Sequence, residues 1–140
     1  MPASRLPATL ALCAALCLAA SACAPWQGPG CRPGEQPSVH DALYFGTAKP
    51  DGTVTAAQWA GFLETVVTPR FPQGLTVNEA SGQWRGANGA TVREASHVLH
   101  LVHADDPASE KAVTEIVAAY KSQFQQEAVL RVRAAACVSL

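Results

Sequence analysis

The chain has 140 residues, 49% of them hydrophobic and 15% charged, with ten Lys+Arg against eleven Asp+Glu and a formal net charge of −1. That is one domain's worth of near-neutral sequence, and its scattered Lys and Arg form no basic stripe, so nucleic acid is not an expected partner. A core of this size needs neither a metal nor a cofactor to fold, and neither is expected.

Residues 1–22 read as a targeting segment. Arg5 supplies the positive start, and Leu6–Ala22 carries no charge, with Leu10, Leu12, Leu16 and Leu18 set among alanines. The run closes on Ala20-Ser21-Ala22-Cys23, three small residues that fit a peptidase cleft followed by a thiol that can take a diacylglyceryl group. This tetrapeptide resembles a bacterial lipobox, departing from it at Ala20, where the pattern prefers Leu. A permanent span needs about 20 apolar residues, and this run is shorter and is followed by Pro25. The rival reading is ordinary cleavage after Ala-Ser-Ala, which leaves a soluble protein. Lipidation at Cys23 is the expectation. Ala24 after the cysteine resembles outer-membrane sorting, so the chain is expected to hang from the outer membrane of the cell envelope, facing the periplasm.

Residues 24–38 hold four prolines and three glycines and are read as a tether without regular structure, leaving residues 39–140 as a single α+β domain. Cys13 and Cys17 leave with the leader and Cys23 takes lipid. Cys31 and Cys137 then remain as an even pair in a compartment where disulfides persist. Spacing alone does not fix whether they join.

Ala42-Leu43-Tyr44-Phe45 predicts a first strand closed by Gly46, with turn chemistry at Pro50-Asp51-Gly52. Thr55 opens a helix, with Gln58 three residues on as a capping box and Val54 positioned to meet Trp59. Trp59, Phe62, Leu63, Val66 and Val67 supply its apolar stripe, and Thr68-Pro69 stops it. From Gly74 to His103 the pattern predicts a hairpin about Asn88-Gly89, pairing Trp84 with Arg93, Gln83 with Glu94 and Val77 with His100, with Gly82 as a candidate bulge. Asp106-Pro107 starts a second helix whose buried stripe is Val113, Ile116, Val117, Tyr120 and Phe124. The last segment alternates, with Leu130, Val132, Ala134, Ala136 and Val138 on a face expected to be buried.

This order, strand-helix-strand-strand-helix-strand, is the ferredoxin-like βαββαβ pattern, a four-stranded antiparallel sheet with two helices on one face. The other face stays open. The third strand is expected to be central and is apolar on both sides, so the bare face is expected to meet a second copy of the chain as a homodimer, or a ligand.

Tyr44-Phe45-Gly46, the Trp59 helix, Pro69-Arg70-Phe71-Pro72-Gln73-Gly74-Leu75-Thr76, Gly82-Gln83-Trp84-Arg85 and Glu94-Ala95-Ser96 resemble the bacterial lipoprotein family catalogued as domain of unknown function 3574. The resemblance spans nearly the whole domain and implies location and fold only.

His97, His100 and His103 invite a metal reading, but strand alternation turns His100 away and leaves the other two roughly 20 Å apart, so no metal site is expected. Arg70, Trp84, Arg85 and Glu94 are the candidate ligand-binding residues, since arginine beside aromatic rings can grip a carboxylate or phosphate at two points. Against that stand a structural Trp84–Arg93 cation–π pair and an Arg85–Glu94 ion pair. No Gly-x-Ser-x-Gly elbow, free catalytic cysteine or phosphate-cradling loop occurs. The expectation is a non-catalytic binding or assembly module. The alternative is a small periplasmic enzyme using the open sheet face, with Tyr44, His97 or His100 as acid or base.

Overall fold

The computed structural model describes residues 30–86 and 88–140, and Cys31–Leu140 form one compact unit. The targeting segment, Cys23 and the start of the tether lie outside the described residues. No helix among the described residues is long and apolar enough to cross a membrane.

Strand β1 runs from Gln36 to Gly46, so three residues assigned to the tether belong to the sheet. Pro37 is accommodated because β1 pairs at that end with the last strand alone, opposite Cys137, and a missing N–H facing no neighbour costs no ladder bond. Two short strands, β2 (Ala48–Lys49) and β3 (Gly52–Thr53), then form a separate small hairpin.

Helix α1 (Ala56–Phe62) starts as its sequence dictates. The Gln58 N–H donates to Thr55 Oγ1 at 3.2 Å and the Thr55 N–H donates to Gln58 Oε1 at 2.9 Å. Instead of ending there the chain widens into a π-helical turn, Leu63–Val67, in which the Thr68 N–H reaches the Leu63 carbonyl at 2.8 Å. Helix α2 (Pro107–Phe124) is capped by Asp106, whose Oδ1 accepts from the Ser109 N–H at 2.8 Å, and ends on Gln125 in the left-handed conformation.

The larger sheet has the order β4-β5-β1-β6, where β4 is Thr76–Arg85, β5 is Thr91–His103 and β6 is Leu130–Val138, and every neighbouring pair is antiparallel. This is an α+β fold whose strand order is compatible with the ferredoxin-like plan. Leu43, Phe45, Leu99 and Leu101 meet Trp59 and Phe62 of α1 and Val113, Ile116, Tyr120 and Phe124 of α2 in one core, so both helices cover the same face. Tyr120 is its hub. Its ring packs edge-on against Phe45 and Phe62, and its hydroxyl donates to the Gly46 carbonyl at 2.8 Å.

Two expectations are corrected. The β4–β5 register is offset by one residue from that predicted: Trp84 pairs with Val92, Gln83 with Arg93 and Val77 with Leu99, with no bulge at Gly82. The cause is the turn. Gly86 N–H donates to the Ala90 carbonyl at 2.8 Å, leaving a three-residue loop in which Gly89 alone among the described residues takes a positive φ, whereas a two-residue turn needs positive φ at both Asn88 and Gly89. In β6, alternation is present but the apolar side is the exposed one, with Leu130 at 61% and Val132 at 48% exposure. Arg131, on the opposite side, reaches buried Asp41 and so fixes which way the strand faces.

Candidate functional site

The open face of the sheet carries the even-numbered residues of β1 and β5. Along β1 these are His40, Ala42 and Tyr44, paired in turn with Val102, His100 and Val98 of β5. His100 therefore lies diagonal to both His40 and Tyr44. Cross-strand diagonals are within reach of long side chains, and here the reach is used. His40 Nε2 and His100 Nδ1 are 3.0 Å apart, with near-parallel rings at an interplanar angle of 16°. One nitrogen donates and the other accepts, so the pair holds one proton between two rings. Thr76 of β4 stands opposite His100, and the remaining neighbours are mostly apolar. Tyr44, Val102, Leu130 and Val132 are all exposed, and Val98 is buried among them.

The helix-covered face holds a second polar cluster. Asp41 is fully buried; its Oδ1 accepts from Arg131 Nε and its Oδ2 from Arg131 Nη2, each at 2.7 Å. His103 Nε2 lies 2.9 Å from Oδ2, while its Nδ1 faces the Ala104 carbonyl oxygen at 2.8 Å. Burial pushes the Asp41 carboxyl up, but the hydrogen bonds and positive charge of Arg131 and His103 outweigh it and hold the group below its ordinary value. Arg131 also binds Glu110 of α2, whose carboxyl that bond likewise holds down. The cluster ties β1, β5, β6 and α2 together. Its arginine and acids are committed to one another, which marks it as structural.

The residues singled out from sequence are dispersed. Arg70 Nε donates to Glu115 of α2 at 3.1 Å and Nη1 donates to the Val66 carbonyl at 2.8 Å, so this arginine locks the end of the first helical segment. Trp84 is half-exposed beside the β4–β5 turn, opposite Val92. Neither structural pair foreseen for that strand forms: Arg93 donates to Gln83, and Arg85 stands opposite Thr91. Glu94 instead accepts from the Ala48 N–H at 2.9 Å and lies so close over Gly46 that a Cβ there would sit 2.5 Å from its oxygen. A side chain at position 46 would therefore displace the Glu94 carboxylate from the Ala48 N–H. Cys31 and Cys137 are joined as a disulfide with their Cα atoms 5.4 Å apart. Of the three strand histidines, His100 faces the open side, whereas His97 and His103 face the helices, consistent with alternation.

Sequence reading missed His40, because its partner lies 60 residues away and only the β1–β5 register brings them together. It missed Asp41 as well. The visible signal was a lone acid at the start of an apolar run with two arginines alternating in the final strand.

A model of the family described as "Protein of unknown function (DUF3574)" matches residues 40–140. No curated protein matches the sequence. Among solved structures, a phage SAM lyase in complex with S-methyl-5'-thioadenosine is similar at a TM-score of 0.55 and 12% identity, covering 81% of this chain and 96% of that one. The same phage enzyme in its apo state matches at a TM-score of 0.47 and 16% identity, covering 84% and 97%. The likeness is one of fold. It corrects the expectation of a non-catalytic binding or assembly module, which rested on the absence of familiar motifs: this arrangement of strands and helices is also that of an enzyme.

Proposed function

We propose that this chain, which belongs to the DUF3574 family of proteins of unknown function, is a small enzyme of the bacterial cell envelope whose acid–base group is the His40–His100 pair on the open face of the sheet. The single observation that carries the reading is the 3.0 Å contact between His40 Nε2 and His100 Nδ1 on a sheet face that also exposes Tyr44, Val102, Leu130 and Val132. Imidazole is the side chain best matched to proton transfer near neutral pH, and a hydrogen bond from one ring fixes the orientation and tautomer of the other. Tyr44, diagonal to His100, adds a phenol beside the pair.

A bare sheet is flat, and chemistry needs a site shielded from water. Tyr44, Val102, Leu130 and Val132 are the surface a second copy of the chain would cover, so the working form is a homodimer whose two sheets enclose the histidines. In this reading Cys23 is acylated, the protein is held at the outer membrane facing the periplasm, and the Cys31–Cys137 bond forms after export.

The test is turnover of a small-molecule extract of the periplasm, followed by mass spectrometry, with the mature chain and its His40→Gln and His100→Gln variants. The expected result is at least one compound consumed by the wild type and consumed roughly 100-fold more slowly by each variant, the lower range for loss of a general acid–base group. An extract left unchanged by the wild type, or variants as fast as it, would end the reading. Location is tested by metabolic labelling with a fatty acid: Cys23→Ser should lose the label and leave the membrane fraction.

A further inference from the structure

A cavity of about 320 Å³ lies away from the histidine pair, where β4 and β5 meet the small β2–β3 hairpin and the start of α1. Thr47, Thr53, Glu79 and His97 supply its polar side chains, with the Ala95-Ser96 stretch beside them. His97 lies flat on the Trp59 indole, with ring centroids 4.4 Å apart and planes 6° from parallel, so its orientation is fixed by packing. Its Nδ1 is buried and has no hydrogen-bond partner. A buried N–H without an acceptor is rarer in proteins than an acceptor without a donor, so the ring proton belongs on Nε2, which leaves a donor available to a ligand.

Glu79 stands directly opposite His97 in the β4–β5 register and is the one charged residue lining the cavity. Burial lowers the proton affinity of His97, against the opposing pull of Glu79, which keeps the ring neutral and the site net negative. Thr47 is already engaged, donating through Oγ1 to the Ala95 carbonyl at 2.8 Å, whereas the Thr53 hydroxyl has no hydrogen-bond partner among the described residues. An anion would meet Glu79 without a counter-charge, and an apolar molecule would leave these groups unpaired. The volume is at the small end of ligand pockets.

We propose that this cavity binds a small hydroxylated amine, an amino sugar or amino alcohol, with its ammonium group against Glu79 and a hydroxyl oxygen accepting from His97 Nε2. The site is separate from the His40–His100 pair, and its occupancy does not require that pair to be catalytic.

Glucosamine titrated into the mature protein, read by calorimetry and by the ¹⁵N resonances of the His97 ring, tests it. Saturable binding that moves the Nε2 resonance is expected. Affinity should fall about tenfold or more for N-acetylglucosamine, which lacks the charge, and for Glu79→Gln, in line with loss of a charge-assisted hydrogen bond. His97→Phe, which retains a flat ring on Trp59 and so keeps the fold, should weaken binding similarly. His100→Gln should bind as the wild type does, which separates this result from the fate of the catalytic reading. Absence of saturation with glucosamine, or equal affinity in Glu79→Gln, overturns the proposal.

Discussion

Asp41 and Arg131 form a two-point ion pair across β1 and β6, each arginine nitrogen 2.7 Å from a different carboxylate oxygen, with the acid wholly buried and the arginine about one-fifth exposed. The asymmetry sets the order of two mutations. Removing Arg131 leaves a buried carboxylate held by His103 alone among the described side chains, whereas removing Asp41 leaves an arginine still held by Glu110. Arg131→Met is therefore expected to cost about 3–5 kcal/mol and Asp41→Ala somewhat less, as urea unfolding at neutral pH would show.

The same pair predicts behaviour in acid. The Asp41 carboxyl titrates below its ordinary value of 3.8 in the folded state and near it when unfolded, so the unfolded chain takes up the proton first as pH falls. The contribution is complete above about pH 4–5 and is lost as the pH drops through the folded-state value. Asp41→Asn should flatten the acid limb of a stability-against-pH curve. A curve as steep as that of the wild type would show that other carboxylates, such as Asp106 and Glu110, carry the dependence.

Cys31 and Cys137 are 106 residues apart in sequence. In the chain-entropy account, a cross-link closing a loop of that length removes roughly 4–5 kcal/mol of freedom from the unfolded chain. Reductant, or the pair Cys31→Ser and Cys137→Ser, should lower the unfolding free energy by up to that amount. Thiol counting on oxidised, denatured protein should find neither sulfur free.

Tyr120 is buried at the centre of the aromatic cluster, and burial pushes its phenol well above the ordinary value. Spectrophotometric titration should find a tyrosine that does not ionise until the protein unfolds in alkali. Tyr120→Phe keeps the ring but strands the Gly46 carbonyl, for an expected cost of about 1–2 kcal/mol.

Leu130→Glu with Val132→Glu places charge on the exposed side of β6 without touching the helix-facing core. Sedimentation should report a homodimer for the wild type and a monomer for the double variant, with little change in unfolding midpoint. A wild type that stays monomeric at high concentration removes the second copy from the proposed site.

Local chemistry made some elements legible in the sequence and long-range pairing hid the others. Thr55 with Gln58, and Asp106 with Pro107, announce helix starts because each cap is satisfied within four residues. Strand β6 announced its alternation but not its direction, since a period of two is the same whichever side faces the core. Burial of Asp41 decided that, and Asp41 sits 90 residues from its arginine. The hairpin was foreseen and its register was not, because one extra loop residue moves every pair by one. That single step separated Trp84 from Arg93 and Arg85 from Glu94. His40 and His100 were each plain in the sequence, but their meeting is a property of the β1–β5 register alone.

The bond between Cys31 and Cys137 also has a mechanical meaning. Gln36 and Val138 are the last pair at one end of the β1–β6 ladder, and the cross-link joins Cys31, just before β1, to Cys137, the next residue of β6 in from that end. A pull arriving from the amino-terminal side reaches both strands together, so no force acts to part them and the ladder cannot be peeled open from that end. A globule moored by its leading segment would then bear load as a unit, its two tied strands moving as one.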